Sequence, residues 1–473
     1  MAADSLTAPA PGASADQGRP GAGWRGEARS GVHWGLSHGL PWLVTRVNAR
    51  RGDLQGRLLV AASSGDQVWE LLEEVRATAP LHRTRLTYLT VDHAVVKEIL
   101  SSPDFRTGSR PEGADGPLWR LIDRTAPRVL HPMEPPSLLV TEPPDHTRYR
   151  KLVTRVFSVR EVERLRARTE VIAHELLDAL DPATPADLVS SYCALLPVTV
   201  ISEILGVPPT QRAQVLELGT RAAPSLDFGL GWRRYREVTA GLRAFTELLD
   251  THIEQLRRHP GEDLLSQLIE ARDEEGTLDD RELKATAGLV LAAGFETTVN
   301  LLGNAIALLG RHPEELDRLR ADPALWPNAV DEALRLDPPV LMTGRFCARA
   351  TAMAGIRVPQ GALVLVILAG ANRDPGVFEN PGRFDVARPN AKDHVSFSGG
   401  RHYCLGASLA RMEGEVGLRA ITDRFPGLRL LPGAQRRPTR ILRGYETLPA
   451  RLGLPACPLW RLLRARCRAR PAW

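Results

Sequence analysis

Phe397-Ser-Gly-Gly-Arg-His-Tyr-Cys-Leu-Gly406 is the stretch from which the rest of the chain is read. It sets one cysteine, Cys404, in a loop between a phenylalanine and a run of glycines. Residues 407–425 follow with apolar side chains at Leu409, Met412, Val416 and Ala420, the spacing of a helix. A thiolate stays ionised when backbone N–H groups point at the sulfur, and Gly399, Gly400 and Gly406 let the backbone approach that closely. The positive end of the following helix adds to this. A soft thiolate held this way suits a transition-metal centre. The other cysteines, Cys193, Cys347, Cys457 and Cys467, read as small buried hydrophobes, and with no C-x-x-C pair no zinc cage is visible.

The stretch resembles the haem-binding signature of cytochromes P450, Phe-x-x-Gly-x-(His/Arg)-x-Cys-x-Gly. Phe397, Gly400, His402, Cys404 and Gly406 match it in full. The resemblance implies haem b with Cys404 as axial iron ligand, Phe397 limiting water at the sulfur, and His402 with Arg401 near a propionate. It also implies a mainly α fold with small β-sheets, an α-rich triangular prism holding haem between a long central helix and the helix after Cys404.

That central helix is legible by itself. Leu278-Asp-Asp-Arg-Glu opens it with a cap and early acids, and it runs to about Gly310. A helix so apolar on all sides crosses the core. Halfway along stand Ala293, Gly294, Phe295, Glu296, Thr297 and Thr298. An acid, two threonines and a glycine are costly there unless used. The segment is similar to the family's oxygen-activation motif. The likeness implies a groove at Ala293 and Gly294, with Thr297 supporting oxygen activation and Glu296 relaying protons.

Glu332 and Arg335 lie at i, i+3, and Pro381-Gly-Arg383-Phe384 follows. In the family such residues form a buried charge network beneath the haem, which implies structural roles for Glu332, Arg335 and Arg383. Propionate partners implied in the same way are His146 and Arg150, at i, i+4, and Arg345. Pocket-lining residues by analogy are Met133, Leu139, Leu289, Val290, Ala293, Leu341, Met342 and Tyr445, with the loop 225–232.

The chain has 473 residues and a net charge of +5. Residues 1–51 carry six Arg and three acids, and residues 456–473 five Arg and no acids, so the part between is slightly acidic. The basic character belongs to the tails, and nothing suggests a nucleic-acid groove. We therefore expect an N-terminal extension (1–55, partly disordered, with 1–32 read as disordered), one haem domain (56–455) and an Arg-rich tail (456–473). No transmembrane segment is expected. The weakly apolar 39–47 reads as a helix on the body or a partly ordered lead-in, with a membrane-surface helix as the alternative. Helices are expected at roughly 145–157, 159–181, 187–205, 209–220, 232–258, 262–272, 279–311, 313–321 and 326–336, with strands near 85–91 and 361–368.

The resemblance implies a cytoplasmic, monomeric monooxygenase of the soluble actinobacterial type. It would insert one oxygen atom of O2 into a lipophilic substrate. Electrons would come from a ferredoxin and its NAD(P)H-dependent reductase, docking at Arg148, Lys151, Arg155, Arg401 and Arg411. The alternatives are a haem–thiolate sensor, or a P450-type isomerase or peroxygenase without external electron supply. The intact Glu296–Thr297 pair argues against both.

Overall fold

The computed structural model describes residues 20–455, apart from 64, 112, 155, 156, 274 and 275. The expected tail 456–473 and Arg155 therefore lie outside the described residues.

The helix Asp280–Arg311 is the axis of the fold. It starts from a reciprocal cap: Asp279 accepts from the Glu282 N–H at 2.8 Å, and Glu282 accepts from the Asp279 N–H at 2.9 Å. From Thr298 to Leu309 every residue is buried, so this half is core on all sides. It is the one described helix long and apolar enough to cross a membrane, but most of its apolar stretch is buried inside the protein. Against it pack Leu195–Ile204, Trp232–Arg258, Trp326–Leu336 and the helix after the cysteine, Ala407–Arg424. The last also packs along Val159–Asp178. Small residues set these crossings. A side chain at Gly417 would meet Leu196 and Leu302 at 2.8 and 2.9 Å, and one at Gly219 would meet the ring of the fully buried Phe295.

The β structure lies to one side. A five-stranded sheet runs in the order His82–Arg83, Tyr88–Thr90, Leu363–Val366, Thr343–Cys347, Phe105–Arg106. Its centre is parallel between Val364 and Tyr88, and antiparallel between Val364 and Arg345. That register turns Val364 and Val366 into a core shared with Ile99 and Phe105.

The expected helices form, with shifted ends. The segment 187–205 divides into a strand Ala186–Asp187, a π-helical turn Val189–Cys193 and the helix Leu195–Ile204. The N-terminus differs more. The stretch read as disordered includes the helix Pro20–Trp34, which leads through a π turn into Leu40–Arg50. Its Arg29, His33 and Trp34 side chains bond to main-chain carbonyls of the body, a pairing that composition does not reveal.

Gly417→Val would drive side-chain atoms into Leu196 and Leu302 on the two neighbouring helices. We expect a loss of about 1–3 kcal/mol, read as a lower denaturant midpoint with unchanged m-value. An unchanged midpoint would mean that Leu196 and Leu302 give way freely.

Candidate functional site

The cysteine loop is held from within and from below. The Cys404 N–H donates to Phe397 O at 2.9 Å, closing the loop on itself. Gly400 has φ +60, and a side chain there would sit 2.3 Å from Leu100 O, so both conformation and space require glycine. The side chain of Phe397 is buried, with the Arg411 guanidinium 4.6 Å from its ring centre. Cys404 is open to solvent on one side and crowded by protein on the others. Crowding pushes its thiol pKa up, while the Gly406 N–H, Arg150 and Arg411 pull it down.

Beneath the loop, Glu332 is fully buried. Arg335 meets it through a two-pronged contact, at 2.7 and 2.9 Å. The third member is Arg388, whose Nε lies 3.1 Å from both carboxylate oxygens. This corrects the expectation for Arg383. Its side chain is exposed, and only its carbonyl takes part, accepting from Arg335 and Arg388. The brace then reaches the loop. Arg335 donates to Asn372 O, and Asn372 bonds to the Val395 N–H and to Ser396 Oγ, just before Phe397.

The expected propionate partners converge. The His146 and His402 rings are 4.4 Å apart. His146 Nε2 is buried without a partner, and burial holds its pKa down at about 4, helped by His402 and Arg150. Arg345 is buried and donates to neutral groups, Thr343 Oγ1, Gly344 O and Ser398 Oγ. Burial lowers its pKa to about 10. Arg150 instead donates to Tyr403 O at 2.7 Å, beside the cysteine. One carboxylate that sequence reading missed organises this corner. Glu142 accepts from Arg401 at 2.7 Å and from the Thr107 N–H at 2.8 Å, and lies 3.2 Å from His402. Burial acts to raise its pKa, but His402, Thr107 and Arg401 prevail and hold it at about 2.

A buried guanidinium with neutral partners and an orphaned imidazole nitrogen call for an anion. With an accessible cysteine beside them, the residues present fit a group bringing carboxylates and a thiolate-loving metal.

On the central helix, Ala293 is exposed although it lies mid-helix in the core, and Leu289 and Thr297 are half-buried on the same side. This face therefore borders a cleft. Thr297 Oγ1 donates to Ala293 O at 3.1 Å. Gly294 does not belong to this face: a side chain there would strike Ile201 at 2.8 Å, so glycine answers to helix packing. Glu296 is buried and forms an ion pair with Arg437, which lies between the paired strands Gln435–Arg436 and Tyr445–Thr447. A second acid escaped the sequence reading. Glu413 is fully buried with neither oxygen hydrogen-bonded, and burial holds its pKa well above the usual range against the pull of nearby Thr298. Its signal was an acid set among Leu409, Met412, Val416 and Ala420.

Of the pocket residues, Leu139 is 38% exposed, Met133 is half-buried and Val290 is buried on the central helix. Leu341 and Met342 are buried in a separate cluster with Leu54, Leu58 and Ile367 and do not open onto the cleft. Tyr445 is buried under the Arg436 guanidinium, 3.9 Å from its ring centre. In the expected electron-donor patch, Arg148 pairs with Glu282, Arg401 with Glu142 and Arg411 with Asp331, which lowers its net charge.

Arg388→Ala leaves the buried Glu332 short of a cation. We expect a loss of about 3–5 kcal/mol and reduced haem content, whereas Arg383→Ala stays within about 0.5 kcal/mol of the native chain. Equal effects of the two would restore Arg383. Glu142, with its lowered pKa, stabilises the fold above the ordinary carboxylate range, and that support fades as pH falls towards 2. Glu142→Gln should therefore cost roughly 1–3 kcal/mol at pH 7, with the gap to the native chain closing in acid. A gap independent of pH would refute the ionic role.

Residues 222–442 match the family model for cytochrome P450. A putative cytochrome P450 140 of Mycobacterium tuberculosis is 52% identical over 427 residues, covering 89% of this chain and 97% of that protein. The 6-deoxyerythronolide B hydroxylase of Saccharopolyspora erythraea is 41% identical over 316 residues, 66% of this chain and 77% of that protein. The crystal structure of Mycobacterium smegmatis CYP164A2 superposes with a TM-score of 0.74 at 31% identity, covering 84% of this chain and 99% of that one.

Proposed function

This chain belongs to the cytochrome P450 family and is a monooxygenase, and on that premise we propose that it hydroxylates or epoxidises a lipophilic small molecule with electrons from a ferredoxin. The reductant is NAD(P)H, passed through a ferredoxin reductase. For hydroxylation the balance is one O2, two electrons and two protons taken up, one oxygen atom placed in a C–H bond, and one water released. The catalytic unit is 56–455, a cytoplasmic monomer.

The observation that carries this reading is the pairing of an accessible Cys404 with an open central-helix face at Ala293 and Thr297. Haem b, held by Cys404, supplies the redox chemistry that activates dioxygen. His146, Arg345 and His402 bind its carboxylates. Arg150 has a different task, fixing the carbonyl next to Cys404. Phe397 and its stacked Arg411 keep water from the sulfur. Thr297 Oγ1 donates its hydrogen bond to Ala293 O at rest and turns that hydrogen into the cleft when needed. Glu296, released from Arg437, takes up a proton from water and relays it to that hydroxyl. Leu139, Met133 and Leu289 give the cleft its apolar wall, which suits a steroid, fatty acid, terpenoid or polyketide. Lys151, exposed on the same helix as Arg150, leads the donor-docking patch.

Cys404→Ser should abolish the thiolate-type absorption band of the reduced, carbon monoxide-bound protein. Thr297→Ala should keep that band but, with ferredoxin, reductase and NADPH supplied, lower product per NADPH by about tenfold or more. Full coupling in Thr297→Ala would remove Thr297 from proton delivery, and a thiolate band in Cys404→Ser would overturn the ligand assignment.

A further inference from the structure

The two N-terminal helices have unlike faces. The inner face is fastened to the body. Arg29 donates to Ala126 O at 2.8 Å, His33 Nδ1 lies 3.2 Å from Ile122 O, and Trp34 Nε1 donates to Leu230 O at 2.7 Å. Trp34 packs edge-on against Trp232, and the Arg440 guanidinium lies 4.1 Å from the ring centre of Trp42. Gly56 admits the backbone of Ala49, which a side chain would meet at 2.6 Å.

The outer face is apolar where it should be polar. Leu40 is 55% exposed and Leu43 59%, and Val32 is exposed on the preceding helix. The neighbouring helix Pro117–Thr125 adds exposed Leu118 and Leu121. The two helices pack against each other and are joined by the His33–Ile122 contact, with Val32 and Leu121 one residue away on either side. Because the inner face is pinned, these side chains are held outward rather than left on a loose lead-in. A scatter of single exposed leucines needs no explanation, but leucines gathered on one pinned surface do.

Charge tells what covers them. Residues 28–52 contain four arginines and no acid. Arg46 and Arg50 follow Leu43 on the exposed side, and Arg51 ends the run. None of these three makes an ion pair among the described residues, although Arg46 lies over the Trp42 ring. Exposed leucines flanked by unneutralised arginines suit the interface of a bilayer that carries negative headgroups. A protein partner matched to the leucines alone would not require the acid-free run.

We infer that Leu40, Leu43, Val32, Leu118 and Leu121, with Arg46 and Arg50, form a docking surface for an anionic lipid bilayer. The contact is peripheral, in the plane of the membrane surface, with no segment spanning it. It weakens with salt, since arginines contribute the attraction and leucines the insertion.

The test is flotation of the full-length, haem-loaded chain with vesicles of phosphatidylcholine containing phosphatidylglycerol, and with vesicles of phosphatidylcholine alone. The native chain should float with the anionic vesicles and lose that binding at high salt. Leu40→Asp/Leu43→Asp and Arg46→Glu/Arg50→Glu should each cut partitioning by roughly tenfold or more, while haem content and thermal midpoint match the native chain. Failure of the native chain to bind anionic vesicles overturns the inference. Equal binding by the leucine variant also overturns it, assigning any attraction to the arginine-rich C-terminus. A native dimer that ignores vesicles and turns monomeric in the leucine variant overturns it in favour of a second copy of the chain.

Discussion

The buried carboxylate of Glu332 is the constraint on which the reactive side of the molecule rests. A charge removed from water has to be met on the spot, and here two guanidiniums and the Asp385 N–H meet it. Those cations then have donors left over. Arg335 spends them on the carbonyls of Asn372, Pro381 and Arg383, and Arg388 on that of Glu379. A helix, a turn and an irregular stretch are thereby fixed to one point. From Asn372 and from Ser396, which also donates to Leu334 O, the register passes directly to Phe397. The cysteine loop has little regular structure of its own, so its position is inherited from this charge cluster.

Two electrical environments face each other across the cleft. On the loop side, guanidiniums predominate: Arg345 and Arg401 both face Glu142, and Arg150 lies beside Cys404. On the central helix Glu296 is buried against Arg437, while Glu413 is buried without an ionic partner in the helix that follows the cysteine. An anionic group is drawn to the first side.

The sequence made the loop, the central helix and the Glu332–Arg335 pair legible because each is local, with its meaning contained in a few adjacent residues. What escaped depends on how distant segments turn. Arg383 fits a motif, yet the turn at Pro381–Asp385 points it outward and leaves Arg388 to reach inward. Gly294 fits a motif too, but its absent side chain is explained by Ile201. Glu142 and Glu413 belong to no short pattern, and only burial reveals them. The N-terminal helices were hidden by an Ala-, Gly- and Pro-rich composition, since their stability comes from partners such as Leu230 that lie far along the chain.

That distance has a consequence for synthesis. Trp34 finds its acceptor 196 residues later. At about 5–20 residues per second, Leu230 leaves the ribosome roughly 10–40 s after Trp34 does. Partners nearer in sequence, Gly56, Ile122 and Ala126, emerge earlier, so the N-terminal helices are fastened in stages and the Trp34 contact closes late. Until it closes, Trp34 is free to meet chaperones, other nascent chains or a lipid surface. The Trp34 contact is completed only after nearly two hundred further residues have been made, so the seating of this helix lags behind its synthesis.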